Sequence, residues 1–302
     1  MSETVAGVLH GVKVVPAGPA GGQSYWQVAW RRFRKHRLAL VGGTLALGLT
    51  LMALLAPWIA PYAADRMALG ARWAPPGAAH WLGTDELGRD VLTRMMYAGR
   101  VSLLVGYIVA VNVAVIGMLV GAVSGFYGGV VDGALMRLVD VLLSVPTLPL
   151  YLILSAIIPG GGVSRIILIF TAFGWTGVAR LVRAQVLALR RLEFVDAARA
   201  VGVSEARIII RHLLPNAMAP VIVAATLAVG GAILGESALS FLGLGITPPT
   251  PSWGNMLQRA QEYIWNAPHL AVFPGLFIFV TVLSFNFLGD GLRDALDPRL
   301  KL

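Results

Sequence analysis

Few residues in this 302-residue sequence have side chains that could carry out chemistry, because only 13% are charged. Cysteine is absent, so no thiolate metal site and no cysteine nucleophile can form. The five histidines are scattered and never form a His-Glu-x-x-His pattern, which argues against a metal site. Ser237 follows a glutamate in an apolar run, but no predicted span holds a histidine to activate it. We predict no catalytic residue, metal or cofactor in this chain.

Binding of nucleotides and nucleic acids is also not predicted. No Gly-x-x-x-x-Gly-Lys-[Ser/Thr] phosphate loop occurs, and the one run of three glycines, Gly160–Gly162, continues without a lysine. A formal charge of +9 could attract a polyanion. Most lysines and arginines nevertheless lie beside apolar runs, where membrane topology places them.

Glu236 is the carboxylate that interrupts an otherwise apolar and glycine-rich run, residues 230–245. An ionisable residue inside a membrane span is a functional candidate by default. Glu236, together with Ser237, could line the path of a solute or its outer gate and meet an ammonium group. It could equally form a hydrogen bond or ion pair that packs two helices. Both interpretations stay open.

The densest polar segment is Arg190–Asn216. Residues 193–201 are rich in good helix formers, and Gly202 can supply the positive φ that ends a helix. Ser204 can cap a second helix with Glu205 in its first turn. The pattern predicts a helix, a glycine turn and a second helix. This hairpin would present small side chains to a partner that approaches closely: Ala197, Ala198 and Ala200.

A second polar segment, His80–Arg100, precedes a long apolar run. Thr84 followed by Asp85 and Glu86 indicates a helix start, because acidic groups are favourable at the positive end of the helix dipole. One apolar face would then follow: Leu87, Val91, Met95 and Ala98.

The elements that position these segments must come from apolar runs, because 57% of the residues are hydrophobic. Only 13% are charged, whereas a soluble chain carries about 25% charged residues. A helix needs about 20 apolar residues to cross the hydrocarbon core. The fourth run, Ile166–Ala179, is short, but the charged ends of the flanking Arg165 and Arg180 side chains can reach the membrane interfaces. Glycines near the end of the second run, Val101–Val131, predict that its helix ends around Val123 and that a turn follows. We therefore predict an all-α polytopic membrane protein with six spans: Leu38–Ala60, Val101–Val131, Val141–Ser164, Ile166–Ala179, Leu213–Gly235 and Leu270–Gly289.

Both termini are expected on the cytoplasmic side, since this places 17 of the 24 lysines and arginines there. Residues 25–37 combine aromatic residues at helical spacing with five basic residues, which is typical of an interfacial helix on anionic membrane lipid. Residues 1–24 are predicted to form a flexible cytoplasmic tail, because they lack the pattern of a signal peptide. Residues 61–100, after the first span at 38–60, form an extracytoplasmic segment in this topology.

Two sets of residues carry a resemblance to a known family. Asp196-Ala197-Ala198, Gly202 after three intervening residues, and Leu214-Pro215 are similar to the EAA loop of permease subunits of ABC importers. Asp196 stands where glutamate is usual, as is familiar in the peptide-importer branch. The resemblance to the C-type permeases of dipeptide and oligopeptide importers covers roughly residues 25–302. It also rests on Gly83-Thr84-Asp85, Gly88-Arg89-Asp90 and residues 290–299.

The resemblance implies a type I ABC importer permease fold, with residues 101–302 as the permease domain and the EAA loop at 190–216. In that family the loop sits in a groove of a cytoplasmic ATPase, so the chain would be no enzyme itself. ATP and Mg²⁺ would be used by partner subunits. The resemblance assigns ATPase coupling to six residues: Asp196, Ala197, Ala198, Gly202, Leu214 and Pro215.

The implied complex in the inner or plasma membrane contains a second, B-type permease, two ATP-binding subunits and an extracytoplasmic binding protein that delivers a peptide. Asp85, Arg89 and Asp90 could brace the chain or contact the second permease. They could also contact the docked binding protein or the substrate. The solute stays open among dipeptides, longer peptides, glutathione-like peptides and nickel complexes.

The alternative function is that of a stand-alone secondary transporter or channel. Such a protein needs no docking loop and often binds coupling ions at broken helices in repeated halves. We see no convincing internal repeat in this sequence.

Overall fold

The computed structural model describes residues 25–297, so the predicted tail at 1–24 and residues 298–302 lie outside the described part. Regular structure in this part is helical, apart from one isolated bridge between Thr84 and Asp90. Five helices are long and apolar enough to cross a membrane, and a bent pair of helices makes up to six spans. The predicted all-α membrane fold is confirmed. The helices are α1 Tyr25–Phe33, α2 Arg37–Ile59, α3 Val91–Tyr127, α4 Gly129–Ser144, α5 Thr147–Ile157, α6 Val163–Leu189, α7 Glu193–Ala200, α8 Glu205–Ile208, α9 Leu214–Phe241, α10 Trp253–Ala260 and α11 His269–Leu296.

The basic segment 25–37 is divided between two helices. α1 ends at Phe33, and α2 begins at Arg37 because the His36 ring nitrogen Nδ1 accepts from the Ala39 amide at 3.1 Å. α2 packs closely on α11: a Cβ atom at Gly42 would lie 2.5 Å from the Ser284 carbonyl oxygen. The first span is therefore 37–59, within one residue of the predicted 38–60.

α3 extends beyond both ends of the helix predicted from Val101 to about Val123. It begins at Val91 rather than at Thr84 or Val101, because the carboxylate of Asp90 caps it by accepting from the Thr93 amide at 2.8 Å. It continues four residues beyond Val123 and ends where Gly128 and Gly129 both adopt positive φ, +70° and +51°. The predicted turn after Val123 was wrong because the earlier glycines of α3 serve helix packing.

That packing joins α3 to α6. Small residues let helices approach closely in a membrane, and three glycines of α3 lie against valines of α6. A Cβ atom at Gly121 would be 2.4 Å from the Ala179 carbonyl oxygen. The glycines are Gly117, Gly121 and Gly125, and the valines are Val178, Val182 and Val186.

The third predicted span, Val141–Ser164, is not one helix. α4 and α5 replace it and meet at an angle of 86°. Pro146 lacks an amide hydrogen and disfavours helical geometry at the preceding residue, and Val145 accordingly has extended dihedrals, φ −90° and ψ 127°. The pair forms either a broken span or a re-entrant loop.

The fourth predicted span, Ile166–Ala179, was too short. α6 covers Val163–Leu189 and is by itself long and apolar enough to cross a membrane. Arg180 lies inside the helix and pairs with Asp140 of α4. Arg165 donates to the backbone carbonyls of Ser155 and Leu244, at 3.0 and 2.9 Å, and so ties the ends of α5 and α9 together.

The last two spans are also longer than predicted. The fifth reaches from α8 to Phe241, in place of Leu213–Gly235, and contains a π-helical segment at Ile209–Leu213. The sixth is α11, in place of Leu270–Gly289. Gly291, near the end of α11, contacts Ala39, near the start of α2, and Gly289 contacts Leu227 of α9. Both termini of the described chain therefore lie at the end of the bundle that carries residues 190–204. We call this the loop end.

We predict that Gly121→Ala destabilises the bundle by about 1–3 kcal/mol, because the added methyl group overpacks the contact between α3 and α6. Gly133→Ala is the matched control, since a Cβ atom there meets nothing within 4 Å. Thermal unfolding of the purified protein in detergent measures both. Equal midpoints for the two variants would contradict a tight glycine contact.

Candidate functional site

The polar segment at the loop end folds as the sequence predicts, into a helix, a glycine turn and a helix. α7 ends at Ala200, Gly202 has φ +77°, and α8 begins at Glu205. The turn is closed by the Val203 amide, which donates to the Ala198 carbonyl at 3.0 Å. Ser204 occupies the capping position, but its side chain makes no capping hydrogen bond, so that detail of the prediction was wrong.

Two apolar side chains hold this hairpin against the bundle. Val195 of α7 and Ile208 of α8 are fully buried in the cluster that α3, α6 and α9 share. The outward side is accessible and includes small residues: Asp196, Ala197 and Gly202 are exposed, beside the larger Phe194 and Val201. We call residues 193–208 the docking hairpin. A rigid base with an exposed, small-residue surface is suited to binding inside the groove of another protein.

The six predicted coupling residues do not form one surface. Asp196, Ala197 and Gly202 lie on the exposed side of the docking hairpin, and Ala198 is half-buried. Leu214 packs against the main core cluster, and Pro215 is exposed in the first turn of α9. Leu214 and Pro215 therefore lie at the junction between the π-helical segment and α9.

Sequence reasoning missed a set of arginine contacts beneath the docking hairpin. The guanidinium Nη1 of Arg190 donates to the carbonyls of Gly125 and Phe126, both at 2.9 Å. Arg183 of α6 binds both carboxylate oxygens of Asp132 of α4, at 2.5 and 2.6 Å. The available signal was Asp132 itself, a single carboxylate that directly follows a long apolar run.

Glu236 is fully buried at the junction of α3, α9 and α10. Its two carboxylate oxygens accept from the hydroxyls of Ser240 at 2.7 Å and Ser102 at 3.4 Å. The Ser102 hydroxyl in turn accepts from the amide of Trp253 at 3.2 Å, which fixes the start of α10. Within residues 25–297 no basic side chain bonds to Glu236. The geometry favours the helix-packing interpretation.

Ser237 is also almost fully buried, at 4% exposed, and within the described residues its hydroxyl has no hydrogen-bond partner. It lies where α10 packs closely on α9, because a Cβ atom at Gly254 would be 2.6 Å from the Ser237 Cα. A larger side chain at Gly254 would therefore separate these two helices.

Asp85 organises the segment at the opposite end of the bundle. Its Oδ1 accepts from the amides of Leu87 and Arg89, both at 2.9 Å, which makes a turn rather than the predicted helix start. Its Oδ2 binds Nε of Arg89 at 2.7 Å and Nε of Arg94 at 3.4 Å. Asp85 is 5% exposed, so its carboxylate is occupied by contacts within the chain.

The neighbouring charges extend this network to α10. Glu86 Oε1 binds Nη2 of Arg89 and Nη1 of Arg259, each at 3.0 Å. Asp90 caps α3 and binds Nδ1 of His80 at 2.9 Å. This geometry favours a brace between residues 80–90, α3 and α10. Arg259, which the sequence did not single out, has the most accessible side chain of the ion-pair cluster, at 46% exposed.

Comparison with known proteins matches two family models. Residues 117–302 match the model described as "Binding-protein-dependent transport system inner membrane component". Residues 24–76 match the "N-terminal TM domain of oligopeptide transport permease C". Together the two models cover the docking hairpin, the first span and the C-terminal spans.

Curated relatives match along most of their length. The dipeptide transport system permease protein DppC of Bacillus subtilis (strain 168) is 46% identical over 279 residues, which cover 92% of this chain and 87% of the relative. The glutathione transport system permease protein GsiD of Escherichia coli O157:H7 is 41% identical over 282 residues and 91% of each chain. A solved structure of the MetNI methionine ABC transporter, in inward-facing conformations, matches 65% of this chain and 93% of its own with a TM-score of 0.50. At 20% identity that match shows the fold alone.

We predict that Glu236→Gln keeps the thermal stability close to wild type, because the amide oxygen can still accept from Ser102 or Ser240. Glu236→Leu, which leaves both hydroxyls without this acceptor, should lower the free energy of unfolding by about 1–3 kcal/mol. Thermal unfolding of the two variants in detergent compares them. A stable Gln variant that has lost transport would contradict a packing role and support a pathway role for Glu236.

Proposed function

The chain belongs to the family of binding-protein-dependent transport system inner membrane components, and from this we propose that it is the C-type permease subunit of an ATP-driven importer of short peptides. As a permease subunit of an ABC importer it is not itself the catalytic component. The observation that carries the proposal is the docking hairpin, an exposed small-residue surface anchored by Val195 and Ile208. Membership in this family replaces the alternative of a stand-alone secondary transporter or channel.

The coupling role of the docking hairpin follows from its exposure and its attachment. Asp196, Ala197, Ala198 and Gly202 would lie in a groove of a separate ATP-binding subunit, which binds and hydrolyses ATP with Mg²⁺. α8 runs through the π-helical segment into α9 at Leu214-Pro215, so a displacement of the hairpin reaches a transmembrane helix directly. ATP drives transport only if its binding favours one of two arrangements of the spans.

The orientation of the chain in the membrane is proposed from the distribution of its lysines and arginines. The loop end is proposed to face the cytoplasm, because 17 of the 24 lysines and arginines then lie on that side. Both termini would be cytoplasmic, and the chain would lie in the inner or plasma membrane. The braced segment 80–90 and α10 would face the outside. There Asp85, Arg89 and Asp90 would support a contact surface for the binding protein or the second permease, while the more accessible Arg259 would make direct contact.

The solute class is proposed from the relatives. The printed names of DppC and GsiD refer to dipeptide and glutathione transport, and both solutes are short peptides. In the proposed complex, this chain and a B-type permease form the two halves of the pathway. An extracytoplasmic binding protein selects the peptide, and two ATP-binding subunits drive its uptake. The choice between dipeptide, longer peptide and glutathione therefore rests mainly with the binding protein.

Purification from the native host tests this assembly. The tagged chain is isolated in mild detergent, and mass spectrometry identifies the subunits that accompany it. We expect a second permease and ATP-binding subunits, and the complex in liposomes should take up labelled dipeptide only with binding protein and ATP. A single polypeptide that transports without ATP would overturn the proposal.

We predict that Gly202→Pro uncouples ATP hydrolysis from uptake while the chain still inserts and assembles. Proline fixes φ near −65°, whereas Gly202 has φ +77° and donates its amide to the Arg199 carbonyl at 2.9 Å. The matched control is Gly160→Pro, an exposed glycine with φ +88° between α5 and α6 at the opposite end.

The readout for both variants is peptide uptake per ATP hydrolysed by the reconstituted complex. We expect a loss of about tenfold or more in Gly202→Pro, which is in the usual range of coupling between sites. Gly160→Pro should retain the wild-type ratio. Wild-type coupling in Gly202→Pro would contradict the role of the turn.

A further inference from the structure

The end of α3 is held by the residue that leads into the docking hairpin. Arg190 directly follows α6, and its guanidinium Nη1 donates to the last-turn carbonyls of Gly125 and Phe126. A cation at this position is favourable, because helix carbonyls at the C-terminus carry partial negative charge. The same group lies over Gly128, where a Cβ atom would be 3.0 Å from Nη1.

A second arginine reaches the same point from the docking hairpin itself. The Arg199 guanidinium carbon of α7 lies 5.4 Å from the centre of the Phe126 ring, within the range of a cation–π contact. Phe126 is almost fully buried, so its ring is a fixed support. The docking hairpin is thus tied to the end of α3 both at its base and along its helix.

The chain bends immediately after this contact. Gly128, which lies between α3 and α4, and Gly129, the first residue of α4, both adopt positive φ. Beyond them, Asp132 in the first turn of α4 accepts from the Ser124 hydroxyl of α3 at 2.5 Å and from Arg183 of α6. Farther along, the buried Val139 and the pairing of Asp140 with Arg180 also hold α4 against α6, so the contacts of Asp132 are one part of what orients α4.

We propose that Arg190 and Arg199 are positioning residues that transmit movement of the docking hairpin to the Gly128-Gly129 joint and thereby to the start of α4. This inference rests on the proposed function and adds a second route to the one through α9. When the hairpin moves with its ATPase, both arginines pull on Phe126 and the adjoining carbonyls. Movement at the joint reaches α4 through Asp132, which bonds the first turn of α4 to Ser124 of α3 and Arg183 of α6.

The test separates transmission from simple helix capping. Arg190→Gln removes the charge and shortens the side chain, and Arg191→Gln is the matched control, since Arg191 is adjacent, exposed and equally charged. Arg199→Gln is a second variant that leaves the carbonyl contacts of Arg190 intact. The native chain has no cysteine, so spin labels can be placed at Leu138→Cys on α4 and Leu51→Cys on α2.

Two quantities are measured on the assembled complex: uptake per ATP hydrolysed, and the change in distance between the labels when ATP is bound. We expect Arg190→Gln to lose about tenfold in coupling and to lose the distance change, with Arg199→Gln affected in the same direction. Arg190→Lys, which keeps the charge, should recover part of both. Arg191→Gln should match the wild type.

Three results would overturn the inference. Wild-type coupling and distance change in both Arg190→Gln and Arg199→Gln would show that the contacts only cap α3. Equal losses in Arg190→Gln and Arg191→Gln would indicate a general effect of charge at the docking surface. Uptake of solute by the wild-type complex without ATP would overturn the proposed function as well. This third result is seen in the wild-type complex itself, whereas the other two are seen only in the variants.

Discussion

The close contact of α3 with α6 is the interaction on which the rest of the structure depends. In a membrane the packing of helices relies on small residues that let backbones approach, and α3 places Gly117, Gly121 and Gly125 against α6. This contact fixes the position of Phe126 and of the Gly128-Gly129 joint at the loop end. The same helix carries Ser102, the partner of Glu236, towards its other end. Both polar clusters are therefore built on one rigid element.

The two ends of α3 differ in how their charges are used. At its start, Asp85 and Glu86 are bonded to Arg89, Arg94 and Arg259, which makes a closed network of charges within residues 80–94 and α10. At its end, Arg190 and Arg199 bind backbone carbonyls and an aromatic face, beside the ion pair of Arg183 with Asp132. A closed ion-pair network favours a fixed brace. Contacts to carbonyls at a glycine joint permit a second arrangement, as coupling to ATP requires.

The sequence was sufficient to predict the first span and the helix–turn–helix of the docking hairpin, because apolar length and the positive-φ preference of glycine are local properties. It placed the end of α3 wrongly, since a glycine in an apolar run can serve either a turn or a helix contact, and only the neighbouring helix decides which. The break at Val145-Pro146 carried a local signal in its proline. The pairings of Arg183 with Asp132 and of Arg190 with Phe126 join residues 51 and 64 positions apart, and no local pattern specifies them.

The central claim is that the docking hairpin binds an ATP-binding subunit. Site-specific crosslinking tests it directly, because the native chain has no cysteine and a single cysteine can be introduced. The account predicts that Ala197→Cys, carrying a short crosslinker, links to the ATPase and that the yield changes when ATP is bound. Trp265→Cys, 94% exposed at the opposite end, should give no such product. An Ala197→Cys protein that assembles fully but never links to the ATPase would contradict the account.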